Sequence, residues 1–566
     1  MTDCLIIGFN DFDFREQVEM TRSMDGASGA HRDLKLAYIN HNGVPKRALD
    51  IFSEFHGGQR FHNQDFLAPS IVHLGTYLAK KGFSFDYVNL FQQGKETLRR
   101  KLESGDALTV AVTTTFYVSA PPVMEVISFV RSVAPKVKII VGGPFIAGQQ
   151  NGGGPEAMRE FFTYLGADVY VISQEGEAAL ANVIGAIKSG SPLSGVDNIA
   201  YLDGDGHTTT RIAPENNPLG DNTPDYSLFK KDDIGQFVSL RTAKSCPFSC
   251  AFCGFPRRAG KYSYIGPDEV EKALDSIREI GGVSTLTILD DTFNVPKKRF
   301  KEILRMMIRK NHGFRWNSFY RSDYGDEETA ELMRRAGCEG VFMGAESGSD
   351  AMLEKMNKTS RRKDYLDAIR LMKNAGIVTH VALIIGFPGE TRDTARETAD
   401  FIEEAGPDFF RAQLWYCDPV TPVWEKRREL GITGSAFNWA HATMDSREAA
   451  DIVEKMFLTV ENSAWTPQNN FELWSVFYLM RHGMNLNQVK TFVRCFNNVI
   501  KEELIRGADV EDADPLMENL RRACRFGGTQ PDLELIEAYS GARIAVRLES
   551  PGGGAVEEDA KQSFNF

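Results

Sequence analysis

The sequence predicts an α/β protein with two regions of alternating strands and helices and a helical region after them. Between about residues 65 and 145, short apolar strands alternate with amphipathic helices, and the same alternation returns between about 226 and 440. After about residue 440 the strand pattern stops. Because strands that alternate with helices form parallel sheets, we expect a doubly wound parallel sheet, then a partial βα barrel of about six units, then a helical C-terminal domain.

Composition shifts suggest where these regions begin and end. A chain of 566 residues is long enough for several domains. The last stretch, Ser-Pro-Gly-Gly-Gly-Ala-Val-Glu-Glu-Asp, has the composition of a disordered tail. The predicted domains are the doubly wound domain 1–225, the barrel 226–440, the helical domain 441–545 and the tail 546–566.

The first domain offers two places for a ligand at the ends of its strands. We predict strands at 4–8, 85–90, 110–115 and 137–141, helices at 69–78 and 121–132, and an irregular stretch from the first strand to about residue 65. In such sheets ligands bind beyond the carboxyl ends of the strands. Thr113 and Thr114 offer hydroxyl groups there, and Gly142 and Gly143 allow close approach to the backbone. Gly and Thr also close many βα loops for structural reasons alone.

The second region also carries polar residues and glycine where its predicted strands end. They are Asp290 and Asp291, then Arg321, Glu346 and Gly386. In βα barrels the chemistry takes place at this edge. The alternative is that acidic residues after strands cap the next helix. Tyr416 and Cys417 end the last predicted barrel strand and are weak catalytic candidates, for which packing is the alternative role.

Composition argues against several classes of partner. The formal net charge of −12 disfavours nucleic acid, which requires a basic surface. No apolar run reaches the ~18 residues of a membrane span, and the first residues lack the features of a signal peptide. We expect a cytoplasmic protein with no nucleic-acid or membrane partner.

Three cysteines form a motif of their own. Cys246, Cys250 and Cys253 have the spacing C-x3-C-x2-C, while the other five cysteines are scattered singly and are expected to be buried apolar residues. A zinc site normally needs a fourth ligand, and the loop contains no His. A secreted disulfide framework would need more closely spaced cysteines. Three thiolates can bind three irons of a [4Fe–4S] cluster and leave the fourth iron open, which predicts Cys246, Cys250 and Cys253 as metal ligands.

This loop, including Phe252 before its last cysteine, resembles that of the radical S-adenosylmethionine (SAM) enzymes. The preceding region, with Val-Thr-Thr-Thr, Ile-Val-Gly-Gly-Pro and Gln-Glu-Gly-Glu, resembles the cobalamin-binding domain of one of their subfamilies. The resemblance implies a [4Fe–4S] cluster, SAM and cobalamin as cofactors. It implies that the corrinoid is contacted by Thr113, Thr114, Gly142, Gly143 and Glu175, and SAM by Phe252, Asp290, Asp291, Arg321, Glu346 and Gly386.

One departure from the wider group of cobalamin proteins follows the first strand. Asn-Asp-Phe-Asp at 10–13 stands where some of those proteins have Asp-x-His-x-x-Gly. The resemblance therefore implies that this position provides no histidine to the cobalt.

The resemblance also implies an activity, that of a class B methyltransferase. Members of this type cleave SAM to a 5′-deoxyadenosyl radical and transfer a methyl group from methylcobalamin to an unactivated carbon. Short runs, including Cys-Gly-Phe-Pro at 253–256 and Ala-Thr-Met-Asp at 442–445, are similar to phosphorus-methyltransferases of phosphinate pathways. We expect a small-molecule or peptide substrate and a reductase, flavodoxin or ferredoxin as electron donor. The alternatives are an enzyme that uses the same cofactors for oxidation, cyclisation or rearrangement, and a non-catalytic corrinoid or iron–sulfur protein.

Overall fold

The computed structural model describes residues 2–23, 29–149, 154–173, 175–215, 217–220 and 222–526. Within these ranges the chain forms two compact units that each combine separate segments. The first unit contains Met1–Asp13, Phe66–Phe248 and Gly254–Trp316, and the second contains Phe14–Asp65, Ser249–Cys253 and Asn317–Phe566. The predicted boundaries at 225 and 440 stay predictions, and the predicted tail 546–566 lies outside the described residues.

The strands are β1 (Thr2–Phe9), β2 (Tyr38–His41), β3 (Val44–Arg47), β4 (Phe85–Leu90), β5 (Ala107–Thr113), β6 (Lys138–Gly142), β7 (Val169–Val171), β8 (Ile199–Asp203), β9 (Gly206–Thr209), β10 (Phe237–Leu240), β11 (Ala243–Lys244), β12 (Ser263–Tyr264), β13 (Thr285–Ile288), β14 (Arg315–Phe319), β15 (Cys338–Glu346), β16 (Val378–Ile385), β17 (Phe409–Leu414), β18 (Thr433–Ser435), β19 (Asn438–Ala440) and β20 (Ala464–Trp465).

The helices are α1 (Phe14–Ser23), α2 (Ala30–Lys35), α3 (Ala48–Phe55), α4 (Pro69–Lys80), α5 (Phe91–Glu103), α6 (Pro121–Val133), α7 (Pro144–Gly148), α8 (Gly154–Leu165), α9 (Glu177–Ser189), α10 (Lys231–Ile234), α11 (Phe255–Ala259), α12 (Pro267–Ile280), α13 (Lys297–Lys310), α14 (Glu327–Arg335), α15 (Asp350–Lys355), α16 (Arg362–Asn374), α17 (Arg392–Ala405), α18 (Pro422–Glu425), α19 (Ser446–Thr459), α20 (Leu473–Arg481), α21 (Leu486–Arg506) and α22 (Pro515–Ala523). Among the described residues, short 3-10 helices cover Leu193–Gly195, Tyr226–Leu228 and Ser322–Tyr324.

The first unit contains a sheet with the strand order β4-β1-β5-β6-β7-β8-β9. Its first five strands are parallel, and β8 and β9 continue it as antiparallel strands. The central strands are runs of β-branched and other apolar residues because both faces are covered, and Ile7, Val112 and Val141 belong to one buried core. The predicted doubly wound sheet is confirmed, and its carboxyl edge carries the predicted Thr and Gly loops.

The first unit also contains the beginning of the predicted barrel. Strand β10 pairs in parallel with β13, and each is followed in the chain by a polar segment, one of which leads to Cys246. Helix α12 begins at Pro267 with Gly266 as its N-cap, and the side chain of Glu269 accepts a hydrogen bond from the Gly266 amide at 2.9 Å. This capping arrangement explains why the helix begins directly after a glycine.

The second unit contains the later strands of the barrel. Strand β16 pairs in parallel with β15 and with β17, and β17 pairs in parallel with β20. Residues in register share a face, so Phe342, His380 and Phe409 lie on one side of this sheet. The described strands and helices of residues 237–414 follow the predicted βα alternation, and the α/β fold class with a helical C-terminal region is confirmed.

Two segments differ from the sequence-based expectation. Residues 14–65, predicted to be irregular, contain three helices and the hairpin β2–β3, and Phe14, Val18, Leu34 and Tyr38 form a small buried cluster. The region after 440, predicted to be free of strands, contributes β20. These elements are short, and tertiary packing stabilises them more than local propensity does.

Candidate functional site

The cysteine motif follows β10 and the short strand β11 and contains a tight turn. Cys246 belongs to the first unit, and Cys250 and Cys253 belong to the second. The Cys253 amide donates a hydrogen bond to the Cys250 carbonyl at 3.1 Å. The three thiols are half-buried and the other five cysteines of the chain are buried; all eight, which lie in the described ranges, are reduced.

In the first unit, the Asp290 carboxyl group shapes the segment before the cysteines. Asp290 follows β13 and is 1% exposed. Its oxygens accept hydrogen bonds from the amides of Thr242 (2.6 Å) and Ala243 (2.9 Å) and from the Thr242 hydroxyl. Arg299 holds the other side of Thr242, because its Nη2 donates to the Thr242 Oγ1 at 2.7 Å. Asp290 therefore positions the chain that leads from β10 to Cys246.

Asp291, next to it, remains accessible to solvent, yet protein atoms surround its carboxyl group closely enough for burial to raise its pKa to about 7. Asp290 raises this pKa further, and Arg241 at the end of β10 lowers it. The neighbouring Glu177, at the start of α9, lies 4.0 Å from the Arg241 Nη2 and accepts a hydrogen bond from Asn222 at 2.8 Å. Perturbed carboxyl groups that converge at the end of strands are typical of functional sites.

The loop after β7 is held to the cysteine-bearing segment by an ion pair. Glu175 accepts hydrogen bonds from the Lys244 ammonium group and from the Asn217 amide, the latter at 3.1 Å. Lys244 lies two residues before Cys246. Glu175, predicted as a corrinoid contact, is therefore engaged with the chain's own Lys244.

The Thr and Gly loops of the first sheet, predicted as corrinoid contacts, lie against each other. The Thr114 hydroxyl and amide both donate to the Gly142 carbonyl at 2.9 Å. Gly143 has φ +115°, and a Cβ atom there would lie 2.8 Å from the Thr114 Oγ1. The Thr113 hydroxyl accepts a hydrogen bond from Ser70 at 3.3 Å. The structure thus brings Thr113, Thr114, Gly142 and Gly143 to one edge, where the absence of a side chain at Gly143 leaves room for Thr114.

In the second unit, residues 249–253 run beside the segment that follows α15. The Ala251 amide donates to the Met356 carbonyl at 2.8 Å, and Asn357 Nδ2 donates to the Ser249 carbonyl at 2.8 Å. The Lys358 ammonium group consequently lies 5.9 Å from the centre of the Phe252 ring.

Arg321 and Glu346, predicted to contact SAM, lie close to Cys250. Burial raises the pKa of the Cys250 thiol, while Lys358 and Arg321 lower it and Glu346 raises it. Arg321 is fixed by a two-pronged ion pair with Asp323, at 3.0 and 2.9 Å. Glu346 has φ +68° and lies 3.5 Å from the Lys358 Nζ. The strained backbone turns the Glu346 carboxyl group towards Lys358 at the end of β15.

Gly386 is required where β16 ends. It has φ +91°, and a Cβ atom would lie 2.4 Å from the Trp439 ring. The Gly386 carbonyl accepts a hydrogen bond from His441 Nε2 at 3.0 Å, and its amide donates to the buried Glu390 carboxyl. This predicted adenine turn is thus built against a stacked Trp439–His441 pair, whose ring centres are 5.2 Å apart.

The two weak catalytic candidates have different surroundings. Tyr416 is 50% exposed and makes an edge contact with Phe437, whereas Cys417 is 1% exposed. Burial raises the pKa of Cys417 to about 12, so this thiol stays protonated at neutral pH. Both assignments stay predictions.

The donor set fits a [4Fe–4S] cluster better than a single metal ion. Within the described ranges, no three His, Cys, Asp or Glu side chains converge as the ligands of one ion do. In a cubane each thiolate binds its own iron, so thiols separated along a loop are the expected arrangement. Arg321 and Lys358, both near Cys250, favour the thiolate that iron binding needs.

Sequence reasoning missed two residues of these sites, Lys244 and Lys358, and it also missed the buried His380. Lys244 stands next to the cysteine motif, so its position was a usable signal. Lys358 lies in a loop after a helix, and only the pairing of Ala251 with Met356 brings it to Cys250. His380 is buried in β16, stacks on Phe342 at 4.7 Å, and has neither ring nitrogen hydrogen-bonded within the described residues.

The three-thiol loop after β10 offers the ligands for three irons of a [4Fe–4S] cluster. Residues 240–402 match the family model of the Radical SAM superfamily.

Two curated relatives are named for different activities, one for methyl transfer and one for cyclisation. An uncharacterized methyltransferase of Pyrococcus horikoshii is 26% identical over 330 residues, which cover 56% of this chain and 69% of the relative. An anaerobic magnesium-protoporphyrin IX monomethyl ester cyclase of Cereibacter sphaeroides is 25% identical over 404 residues, which cover 68% of this chain and 64% of the cyclase. The chain thus spans less than two thirds of the cyclase.

Solved structures share the fold over a larger part of the chain. The radical SAM methyltransferase TsrM of Kitasatospora setae, with cobalamin and a [4Fe–4S] cluster bound, superposes with a TM-score of 0.54 at 18% identity and covers 77% of this chain and 76% of TsrM. The cobalamin-dependent SAM radical enzyme OxsB has a TM-score of 0.57 at 15% identity and covers 96% of this chain and 80% of OxsB. At these identities the likeness concerns the fold.

None of the helices in the described residues is both long and apolar enough to cross a membrane.

Proposed function

We propose that this chain is a cobalamin-dependent radical SAM methyltransferase. The observation that carries the proposal is a three-cysteine loop in a chain whose fold follows that of TsrM over 77% of its length, the TsrM structure holding both cobalamin and a [4Fe–4S] cluster. When bound, these groups would supply a 5′-deoxyadenosyl radical from SAM and a methyl group on cobalt.

Residues of the first unit would hold the corrinoid and support the cysteine loop. Thr113, Thr114, Gly142 and Gly143 stand at the carboxyl edge of the parallel sheet, where ligands of such sheets bind. Asp290 fixes the segment before Cys246 through Thr242. Asp291 is the accessible carboxyl group beside it and is the better placed of the two to bind the SAM amino group.

The second unit contains candidate SAM contacts of its own. Phe252 offers a ring for the adenine, and Gly386 lies in the turn after β16 past which the adenine would run. Glu346 is available to the ribose or the methionyl part, because its nearest cation, Lys358, is 3.5 Å away and leaves acceptor capacity.

The cofactor assignment is tested by anaerobic reconstitution with iron and sulfide, followed by assays of SAM cleavage and corrinoid retention. Cys250→Ala should lose the visible absorbance of the cluster and all formation of 5′-deoxyadenosine, because one iron loses its ligand. Corrinoid binding should remain close to the wild-type amount. Cys338→Ala, a buried cysteine outside the loop, is the matched control and should retain the cluster.

If Cys250→Ala still cleaves SAM at the wild-type rate, the assignment of the cysteine loop is wrong. If the wild-type protein binds cluster and corrinoid but never cleaves SAM under reducing conditions, the chain is a binding protein and not an enzyme of this class.

The methyl acceptor is proposed to be an unactivated carbon or a phosphinate phosphorus of a small molecule or peptide, with a flavodoxin, ferredoxin or reductase as electron donor. Incubation of candidate substrates with protein, methyl-labelled SAM, methylcobalamin and reductant tests this. A product that gains one labelled methyl group supports the proposal. Deoxyadenosine release with an unlabelled product contradicts methyl transfer.

That second outcome would favour oxidation, cyclisation or rearrangement. The similarity to a magnesium-protoporphyrin IX monomethyl ester cyclase over 68% of this chain is the observation in favour of such a reaction.

A further inference from the structure

Two basic side chains of the second unit, Lys358 and Arg321, belong to the surroundings of the segment 249–253, which contains Cys250. The hydrogen bonds of Ala251 and Ser249 to residues 356 and 357 set residues 356–358 alongside the cysteine loop. Lys358 is 8% exposed at its side chain, and its ammonium group also donates to the Gly344 carbonyl at 2.8 Å. The ammonium group is therefore held in place by partners on β15 rather than free in solvent.

Arg321 follows β14 and is tied to the same segment, because its guanidinium group donates a hydrogen bond to Thr359, the residue after Lys358. The Arg321 guanidinium group is held in one orientation, because Asp323 accepts two hydrogen bonds from it and Thr359 Oγ1 accepts one from its Nη2 at 2.6 Å. The Thr359 hydroxyl in turn donates to Asp323 at 2.6 Å. A fixed donor in a site of low dielectric acts more strongly than an exposed one.

The charges at Cys250 have opposite signs. The positive charges of Lys358 and Arg321 stabilise negative charge on a group bound through Cys250, and the Glu346 carboxylate, the ion-pair partner of Lys358, opposes it. Hydrogen bonds to cluster sulfurs and nearby charge are the means by which a protein adjusts the potential of an iron–sulfur cluster.

We propose that Arg321 and Lys358 are positioning residues that raise the reduction potential of the cluster bound through Cys250, and that Glu346 lowers it. The proposal rests on the proposed function, which provides the cluster. One electron passes from a low-potential donor, such as dithionite or a reduced flavodoxin, to the cluster, and no bond forms or breaks. The two cations stabilise the added negative charge, so they make the reduced state easier to reach.

The test is a redox titration of reconstituted full-length protein with dithionite, followed by electron paramagnetic resonance, in the absence of SAM. Arg321→Met and Lys358→Met should each lower the ratio of reduced to oxidised cluster about tenfold at a fixed potential, which is about 59 mV for a one-electron couple. Glu346→Gln should shift the potential in the opposite direction. Lys363→Met is the control, because its exposed ammonium group pairs with Asp367 and solvent screens it.

Iron and sulfide content are measured on every variant to confirm that the same cluster is compared. If either methionine variant loses the cluster, Arg321→Lys and Glu346→Gln decide the sign of the effect on the reduction potential. The proposal is supported if Arg321→Lys, which keeps the charge, has a potential near that of the wild type and Glu346→Gln has a raised one.

Wild-type potentials in Arg321→Met and Lys358→Met with full cluster content overturn the proposal and leave the proposed function intact. Shifts that arise only after SAM is added also overturn it, because the residues would then act on SAM. A wild-type protein that takes up no cluster would instead contradict the proposed function.

Discussion

Asp290 in the first unit and Glu346 in the second both follow a strand of parallel sheet, yet their carboxyl groups have different roles. Asp290 is saturated by two amides and a hydroxyl of Thr242 and Ala243. Glu346 has a cation at 3.5 Å and a left-handed backbone. A saturated carboxyl group positions the chain, whereas an unsaturated one remains available to a ligand. The same sequence signal therefore marks two kinds of residue.

The largest expected effect is a difference in the free energy of unfolding between variants of these two carboxyl groups. Asp290→Ala leaves the Thr242 and Ala243 amides without acceptors in a buried place, and should lower the free energy of unfolding by about 3 kcal/mol. Glu346→Gln retains an acceptor of the same shape and should stay within about 1 kcal/mol of the wild type. Urea denaturation followed by circular dichroism measures both. Equal losses in the two variants would contradict the distinction.

The next largest effect is on the pH dependence of stability, and it compares Glu390, a buried carboxyl group without a described cation partner, with Glu177, which lies near Arg241. Burial raises the pKa of Glu390 in the second unit to about 8. Burial also raises the pKa of Glu177 in the first unit, to about 7, and Arg241 partly offsets this rise. A raised carboxyl pKa means that unfolding releases a proton, so stability falls as pH rises from the unfolded pKa of about 4.3 to the folded value.

Between pH 5.5 and 7.5 the wild-type protein should lose stability as Glu390 favours the folded state less, and Glu390→Gln should remove this part of the loss. The contribution of Glu390 to the free energy of unfolding changes by about 1.4 kcal/mol per pH unit, which amounts to about 2.7 kcal/mol over this range. Glu177→Gln is the matched variant, and its contribution should end near pH 7 instead of pH 8. Unfolding free energies at several pH values measure the slopes. A Glu390→Gln slope identical to that of the wild type would show that the Glu390 carboxyl group is not protonated in the folded protein.

The smallest effect concerns two buried histidines. His380 in the second unit has no hydrogen-bond partner for its ring within the described residues, and its pKa is lowered by burial to about 3. His380→Phe should therefore raise the free energy of unfolding by about 1 kcal/mol, because it removes unpaired polar atoms and preserves the stack on Phe342. His73→Phe in the first unit should be destabilising instead, since the Asn222 backbone favours the polar ring of His73 and raises its pKa against the effect of burial. A destabilised His380→Phe would reveal a polar partner such as a buried water.

Much of the fold follows from local patterns in the sequence. The alternation of apolar strands with amphipathic helices predicts β4, β10 and β16 within a few residues, because hydrophobic periodicity is a local property. The short elements of residues 14–65 do not follow from it. Arg411 on β17 pairs with Asp33 of α2 at 2.8 Å, and such a partner across 378 residues leaves no local signal.

The sequence alone determines the cysteine spacing, the order of the strands along the chain and the position of polar residues after them, since these are properties of neighbouring residues. Tertiary structure alone decides which of those residues are saturated and which are free for chemistry. Asp290 is engaged with Thr242, Glu175 with Lys244, and Lys358 reaches Cys250 through the pairing of Ala251 with Met356. The physical reason is that a carboxylate or ammonium group is defined by the partners that surround it, and distant segments provide those partners.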